Sequence, residues 1–206
     1  MRLRRNSKNI TPLKRILIVC EGECEVIYLS GFVSDNIEKL RAVRIEIFQP
    51  HDHSPVGLVK EAKRQVKEAK RDRFPFDEAW VVFDKDGHKK IPNAFEEARH
   101  LNIKIAFSAI SFEYWILLHF SKEKKVFYKG ETLVKYICKN YFPNYVKTEN
   151  NYVNLKSKLE TALNNARWLH DQNSIDLNIG KRIYQLDVYT DFDKLIIALQ
   201  KIITDR

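Results

Sequence analysis

A chain of 206 residues that is 44% hydrophobic and 31% charged is long enough to bury a core and too apolar for disorder to be the default. No apolar run approaches the roughly 20 residues of a membrane helix, the basic start leads into no apolar signal segment, and three scattered cysteines make no disulfide framework, so a cytoplasmic protein away from membranes is expected. Six of the net +9 charges sit in residues 1–15, which hold six Lys or Arg and no acid; the rest of the chain carries +3.

Ile16–Cys20 is a short, branched apolar run bounded by charges, the pattern of a strand covered on both faces. Residues 25–41 place Val26, Leu29, Phe32, Val33, Ile37 and Leu40 three or four apart, which predicts a helix. Val43–Phe48 alternates as a second strand. Ser54-Pro55 starts a helix with a serine N-cap and proline in the first turn, and Leu58, Ala62, Val66 and Ala69 form its buried stripe. Ala79–Phe83 is a further buried strand, Pro92–Asn102 a helix, Lys104–Ser108 a strand and Phe112–Phe120 a buried helix.

This alternation predicts an α/β fold: a largely parallel sheet flanked by helices, with a site at the strands' carboxyl ends. Beyond Lys122 the composition changes. Leu133–Lys139, Asn154–Leu169 and Asp191–Ile203 are helix-like, and no buried strand is evident. The expected organisation is a basic arm over 1–14, an α/β domain over 15–122, and a helical C-terminal extension over 123–206 packed on the same body.

Two of the strands end in acids. Glu21-Gly22-Glu23-Cys24-Glu25 follows the first, and Asp84-Lys85-Asp86-Gly87-His88 follows Phe83. Gly22 and Gly87 permit sharp turns there. Two carboxylates about 4 Å apart repel by roughly 4 kcal/mol at an effective dielectric of 20. A proton or a cation must offset that, and clustered hard oxygens favour Mg²⁺ or Mn²⁺. Glu21, Asp84 and Asp86 are the candidate catalytic residues and metal ligands, with Glu25 and Glu113 as further candidate ligands. Glu25 also stands where a helix begins, which favours an acid for its own sake. Glu113 lies in a segment otherwise too apolar for a carboxylate, so it needs a partner or a site role.

Lys85 and His88, in the same loop as Asp84, are candidate substrate-binding residues. So are Lys60, Lys63, Arg64 and Lys67, on a helix whose basic residues could lie along a phosphate backbone. His119 is expected to be a satisfied core histidine, His51-Asp52-His53 a surface loop, and the cluster Tyr136, Tyr141, Phe142, Tyr145 and Tyr152 either inter-helix packing or a base-stacking platform.

The run Ile16–Glu21 with Gly22, followed by Phe83-Asp84-Lys85-Asp86, resembles the Toprim domain of topoisomerases, primases and related nucleases. More narrowly, Ile18–Glu23 with Tyr28, Val81–His88, Ser111–Phe120 and Tyr189-Thr190-Asp191 resemble the RloB family, over about residues 15–200. The resemblance implies a Toprim-like fold in which Glu21 acts as general acid/base or ligand while Asp84 and Asp86 hold the metal. It also implies a Mg²⁺- or Mn²⁺-dependent nuclease acting on DNA or RNA in bacterial anti-phage defence and abortive infection. A defence-system partner protein and a second copy of the chain are the protein partners it leaves open. Two other functions stay open: a catalytically silent module that binds nucleic acid or a nucleotide, and a phosphatase of the haloacid-dehalogenase type with Asp84 as nucleophile.

Overall fold

The computed structural model describes residues 14–40, 42–85 and 87–204. Thus residues 1–13 of the basic arm, and Asp86 among the candidate ligands, lie outside the described residues. Lys14 is the first residue of the first strand.

Along the chain run β1 (Lys14–Cys20), α1 (Glu23–Asp35), β2 (Val43–Phe48), α2 (Pro55–Arg71), β3 (Glu78–Asp84), α3 (Ile91–His100), β4 (Lys104–Ser108) and α4 (Glu113–Leu118). They are followed by α5 (Gly130–Asn140), α6 (Tyr152–Leu155), α7 (Leu159–Asn178) and α8 (Phe192–Thr204). The four strands form one sheet in the order β2-β1-β3-β4, and every pairing is parallel. The expected α/β class is what the chain adopts.

Strand alternation sends side chains to two cores. Ile16, Ile18, Cys20, Trp80, Val82 and Ala106 face α1, α4, α5, α7 and α8, whereas Leu17, Val19, Val81, Phe83 and Phe107 face α2 and α3. Both faces are covered, which is why the strands read as unbroken apolar runs. Residues from 123 onward contribute Phe127, Leu133, Leu163, Leu169 and Leu195 to the first core. All six residues of α4 are buried, and Trp115 and Tyr114 are among the largest fully buried side chains. Truncating a leucine or isoleucine there to alanine costs about 2–5 kcal/mol.

Several elements depart from the sequence pattern. The helix expected over 25–41 stops at Asp35 and gives way to a 3₁₀ turn over Ile37–Leu40. Ser34-Asp35-Asn36 competes for backbone partners: the Asn36 side chain donates to the Phe32 carbonyl at 2.9 Å and its backbone N–H to Val33 at 3.1 Å. Ile37, counted in the buried stripe, is 63% exposed, while Tyr28, outside that stripe, is buried. The helix expected over 154–169 breaks into α6 and a 3₁₀ turn before α7, which then runs on to Asn178.

Tyr189-Thr190-Asp191 closes the free edge of β4. Tyr189 O accepts from Ala109 N at 2.7 Å, Asp191 N donates to Phe107 O at 3.0 Å, and the Asp191 carboxylate accepts from Phe107 N at 2.6 Å. Lys194, one turn into α8, holds the other oxygen of Asp191 at 3.2 Å. Arg15, one of the six basic residues of 1–15, is buried: its guanidinium lies over Phe74 and Phe76 and pairs with Glu46 at 2.5 Å.

Candidate active site

β1 lies between β2 on one side and β3 on the other, so the strand order reverses there and a crevice opens at the carboxyl ends. Glu21 directly follows β1, and Asp84 is the last residue of β3. Glu21 N donates to Val82 O at 2.9 Å, which carries the ladder one step past the strand. Its carboxylate Oε2 accepts from the Asp84 backbone N–H at 2.8 Å, and Asp84 Oδ2 accepts from Phe112 N at 2.9 Å. Nε2 of His88 lies 3.0 Å from Glu21 Oε1, and the Gln49 side chain donates to the Glu21 carbonyl at 2.7 Å.

Two further acids stand behind this pair. Glu25 is 3% exposed and Glu113 2% exposed. Glu113 Oε1 takes the Lys147 ammonium at 2.8 Å and the Tyr145 hydroxyl at 3.2 Å, while Oε2 takes the Ser111 hydroxyl at 2.6 Å. Gly22 makes room for Glu25: a Cβ there would meet Glu25 Oε2 at 2.6 Å. A side chain at Gly22 would displace the Glu25 carboxylate, whereas its φ of −119° is extended backbone that any residue adopts. Gly87, with φ +74°, does need its conformational freedom, in the turn where His88 N donates to Lys85 O at 2.8 Å.

Four carboxylates share a confined space, and their proton affinities reflect it. Burial pushes Asp84 well above the usual carboxylate range, and the charges of Glu25, Glu21 and Glu113 add to the push, against the pull of the Phe112 N–H. Burial likewise raises Glu25 to about 7, with Glu113 and Glu21 adding to it while its own backbone N–H and Lys147 oppose. Burial and the nearby Glu113 and Glu25 carboxylates raise the Cys24 thiol to about 12, so it is no thiolate nucleophile. For Lys147, burial disfavours the charge, but the bond and charge of Glu113 outweigh it and hold the ammonium above its ordinary value.

The donors suit a hard divalent cation. Mg²⁺ is commonly held by one or two carboxylates, with waters and substrate phosphates completing the shell. Glu21 and Asp84 can supply that much, and the neighbouring carboxylate charge that adds to burial in raising Asp84 is charge a cation would offset. Among the described residues no three His, Cys, Asp or Glu side chains form a group that could hold a metal by themselves.

Of the residues singled out in the sequence, Glu21, Asp84, His88, Glu25 and Glu113 come together. Lys85 sits at the rim, its ammonium 3.4 Å from Leu186 O. Among the described residues, none of the α2 candidates bonds or pairs with these acids. Lys60, Lys63, Arg64 and Lys67 are exposed on that helix, with Arg64 held by Glu61 and Glu68 and Lys63 paired to Glu97 at 3.5 Å. At 1.5 Å per residue, Lys67 is about 20 Å along the helix from its cap at Ser54.

His119 is a core residue: it is 1% exposed, its Nδ1 bonds Trp115 O at 2.9 Å and its Nε2 lies 3.1 Å from the Tyr28 hydroxyl. Asp52 caps Ser54 in an exposed loop between His51 and His53. The aromatic cluster is largely packing, with Tyr136 and Tyr141 edge to face and both hydroxyls on Glu123.

Sequence reasoning did not find Lys147, Tyr145 or Ser111 as partners of the acid cluster. The available signal was Glu113 itself, a carboxylate among apolar residues that had to be paired.

Comparison with curated proteins gives no match. Residues 16–199 match the family model described as RloB-like protein, so the chain belongs to the RloB-like family.

Proposed function

We propose that this protein is a metal-dependent nuclease that cleaves phosphodiester bonds of nucleic acid in bacterial anti-phage defence. The observation that carries this reading is the junction of Glu21 and Asp84 at the ends of adjacent parallel strands, with Glu25 and Glu113 close enough to raise the proton affinity of Asp84. Such a cluster calls for a cation, and a phosphate is the ligand that cation would share.

Glu21 and Asp84, with Asp86, would hold Mg²⁺ or Mn²⁺, which when bound neutralises the attacked phosphate and lowers the pKa of water. Glu21 and His88 form a hydrogen-bonded pair able to hold or pass a proton at Glu21 Oε1. The Phe112 N–H fixes one oxygen of Asp84 and leaves the other for a ligand. Lys147 balances Glu113 at the back of the cluster.

The test is a cleavage assay on single-stranded and duplex DNA and RNA with Mg²⁺ or Mn²⁺ against EDTA. Metal-dependent cleavage is expected. Tight binding without cleavage of any substrate would instead identify a silent nucleic-acid module.

A further inference from the structure

A recess of about 360 Å³ opens beside the acid cluster, lined among others by Lys85, His88, Ile110, Tyr128, Lys129 and Asp187. Two contacts tie it to the acids. His88, in its wall, bonds Glu21 at 3.0 Å. Gly130, on its other side, lies so close to Ser111 that an added Cβ would be 3.3 Å from that residue's hydroxyl, which itself bonds Glu113.

The most unusual wall residue is Tyr128. The residue is 94% exposed, and among the described residues its ring pairs with no other aromatic ring, whereas Phe127 beside it is buried against Tyr114 and Tyr136. Val126, two residues earlier, is 45% exposed and also lines the recess. The recess thus offers an aromatic face, an apolar flank, two lysines for phosphate and a carboxylate that can accept from an exocyclic amino group. Its volume suits one nucleotide and not a helix.

We propose that this recess receives an unpaired nucleobase stacked on Tyr128, next to the phosphate at the acid cluster, so that the substrate is single-stranded nucleic acid. This rests on the nuclease reading of the acid cluster. Every base has a π-face, so stacking on tyrosine with flanking lysines takes single strands without strong sequence preference. In a duplex that face is already stacked, and the base would have to be extruded first.

The experiment measures binding of a short fluorescein-labelled single-stranded oligonucleotide, as DNA and as RNA, by anisotropy in EDTA and again with Ca²⁺. The same strand in a duplex and an oligonucleotide abasic throughout are run beside it. Tyr128→Ala is expected to weaken single-strand binding about tenfold, Tyr128→Phe to bind as wild type, and neither the duplex nor the abasic strand to distinguish wild type from Tyr128→Ala. The exposure of Tyr128 leaves the fold intact in both variants. Equal single-strand affinity of wild type and Tyr128→Ala, or an equal loss on the abasic strand, overturns the stacking site and leaves the nuclease reading standing. If wild type binds none of these oligonucleotides, both fall.

Discussion

Glu21 Oε2 accepts a hydrogen bond from the backbone N–H of Asp84 at 2.8 Å, so the acid that ends one strand fixes the backbone that presents the other. Glu21→Gln keeps an amide oxygen for that bond, removes the charge and turns the oxygen beside His88 Nε2 into an N–H donor. We expect a melting temperature near that of wild type and a fall in cleavage of about 10²–10⁴-fold, the usual range for a lost general acid/base. Near wild-type turnover on all substrates would show that Glu21 has no part in the chemistry. A phosphatase using Asp84 as nucleophile predicts that outcome.

Asp84→Asn should abolish cleavage while leaving nucleic-acid binding equal or tighter, because it removes a negative charge facing the phosphate. The sign of its stability effect is set by the raised proton affinity of Asp84. An acid whose native pKa lies above its unfolded value makes the native state bind more protons, so stability is present at low pH and is lost as pH rises through that native pKa. Metal-free Asp84→Asn should therefore melt at or above wild type at neutral pH and show no advantage in acid. A lower neutral-pH melting temperature would contradict the charge crowding around Asp84.

A divalent cation that binds only the folded chain raises stability by about 2.7 kcal/mol at a hundred times its dissociation constant. For a chain of this size that is a rise of roughly 5–10 °C. Thermal scans with Mg²⁺ and Mn²⁺ should show the rise in wild type and a reduced one in Asp84→Asn. No shift at millimolar cation would remove the metal from the proposed mechanism.

Lys147 and Glu113 should prove energetically coupled. Lys147→Met strands a buried carboxylate beside Glu25 and Asp84, although Ser111 and Tyr145 still bond it. Because the lysine side chain is half-exposed, we expect a loss of only about 1–2 kcal/mol at neutral pH. Adding Glu113→Gln should recover most of that loss, giving a favourable coupling in a double-mutant cycle by chemical denaturation. Strict additivity would mean that the pair contributes nothing.

His119 supplies a pH signature independent of the site. Burial lowers its pKa to about 4, against weaker support from its backbone contacts to Trp115 and Ile116. The unfolded state therefore takes up a proton near pH 6.5 that the native state refuses until about pH 4, and stability is lost as pH falls through that window, by about 3 kcal/mol in total. His119→Gln keeps a donor and an acceptor for Trp115 and Tyr28 and should abolish that contribution. Denaturation at several pH values should show wild type losing about 3 kcal/mol relative to the variant on acidification. Parallel curves would place the titration elsewhere.

The strand runs were legible because a strand buried on both faces leaves little choice of residue: Ile16–Cys20 and Ala79–Phe83 lie within β1 and β3, and Lys104–Ser108 is β4 itself. Acids directly after such strands were legible for the same reason, since a parallel sheet exposes the residues just past its strand ends. The early end of α1 was less so, because Asn36 stops the helix through local bonds that hydrophobic periodicity does not register.

Only the tertiary structure decided what completes the site. Lys147 and Tyr145 reach Glu113 from more than thirty residues away in sequence, and Tyr128 comes beside His88 because α5 starts against Ser111. Chain folding is what pairs a buried charge with a distant partner, and no local period encodes the choice. Strand ends are fixed by short-range pattern; the residues that surround them are fixed by which loops the packed helices bring back over the crevice.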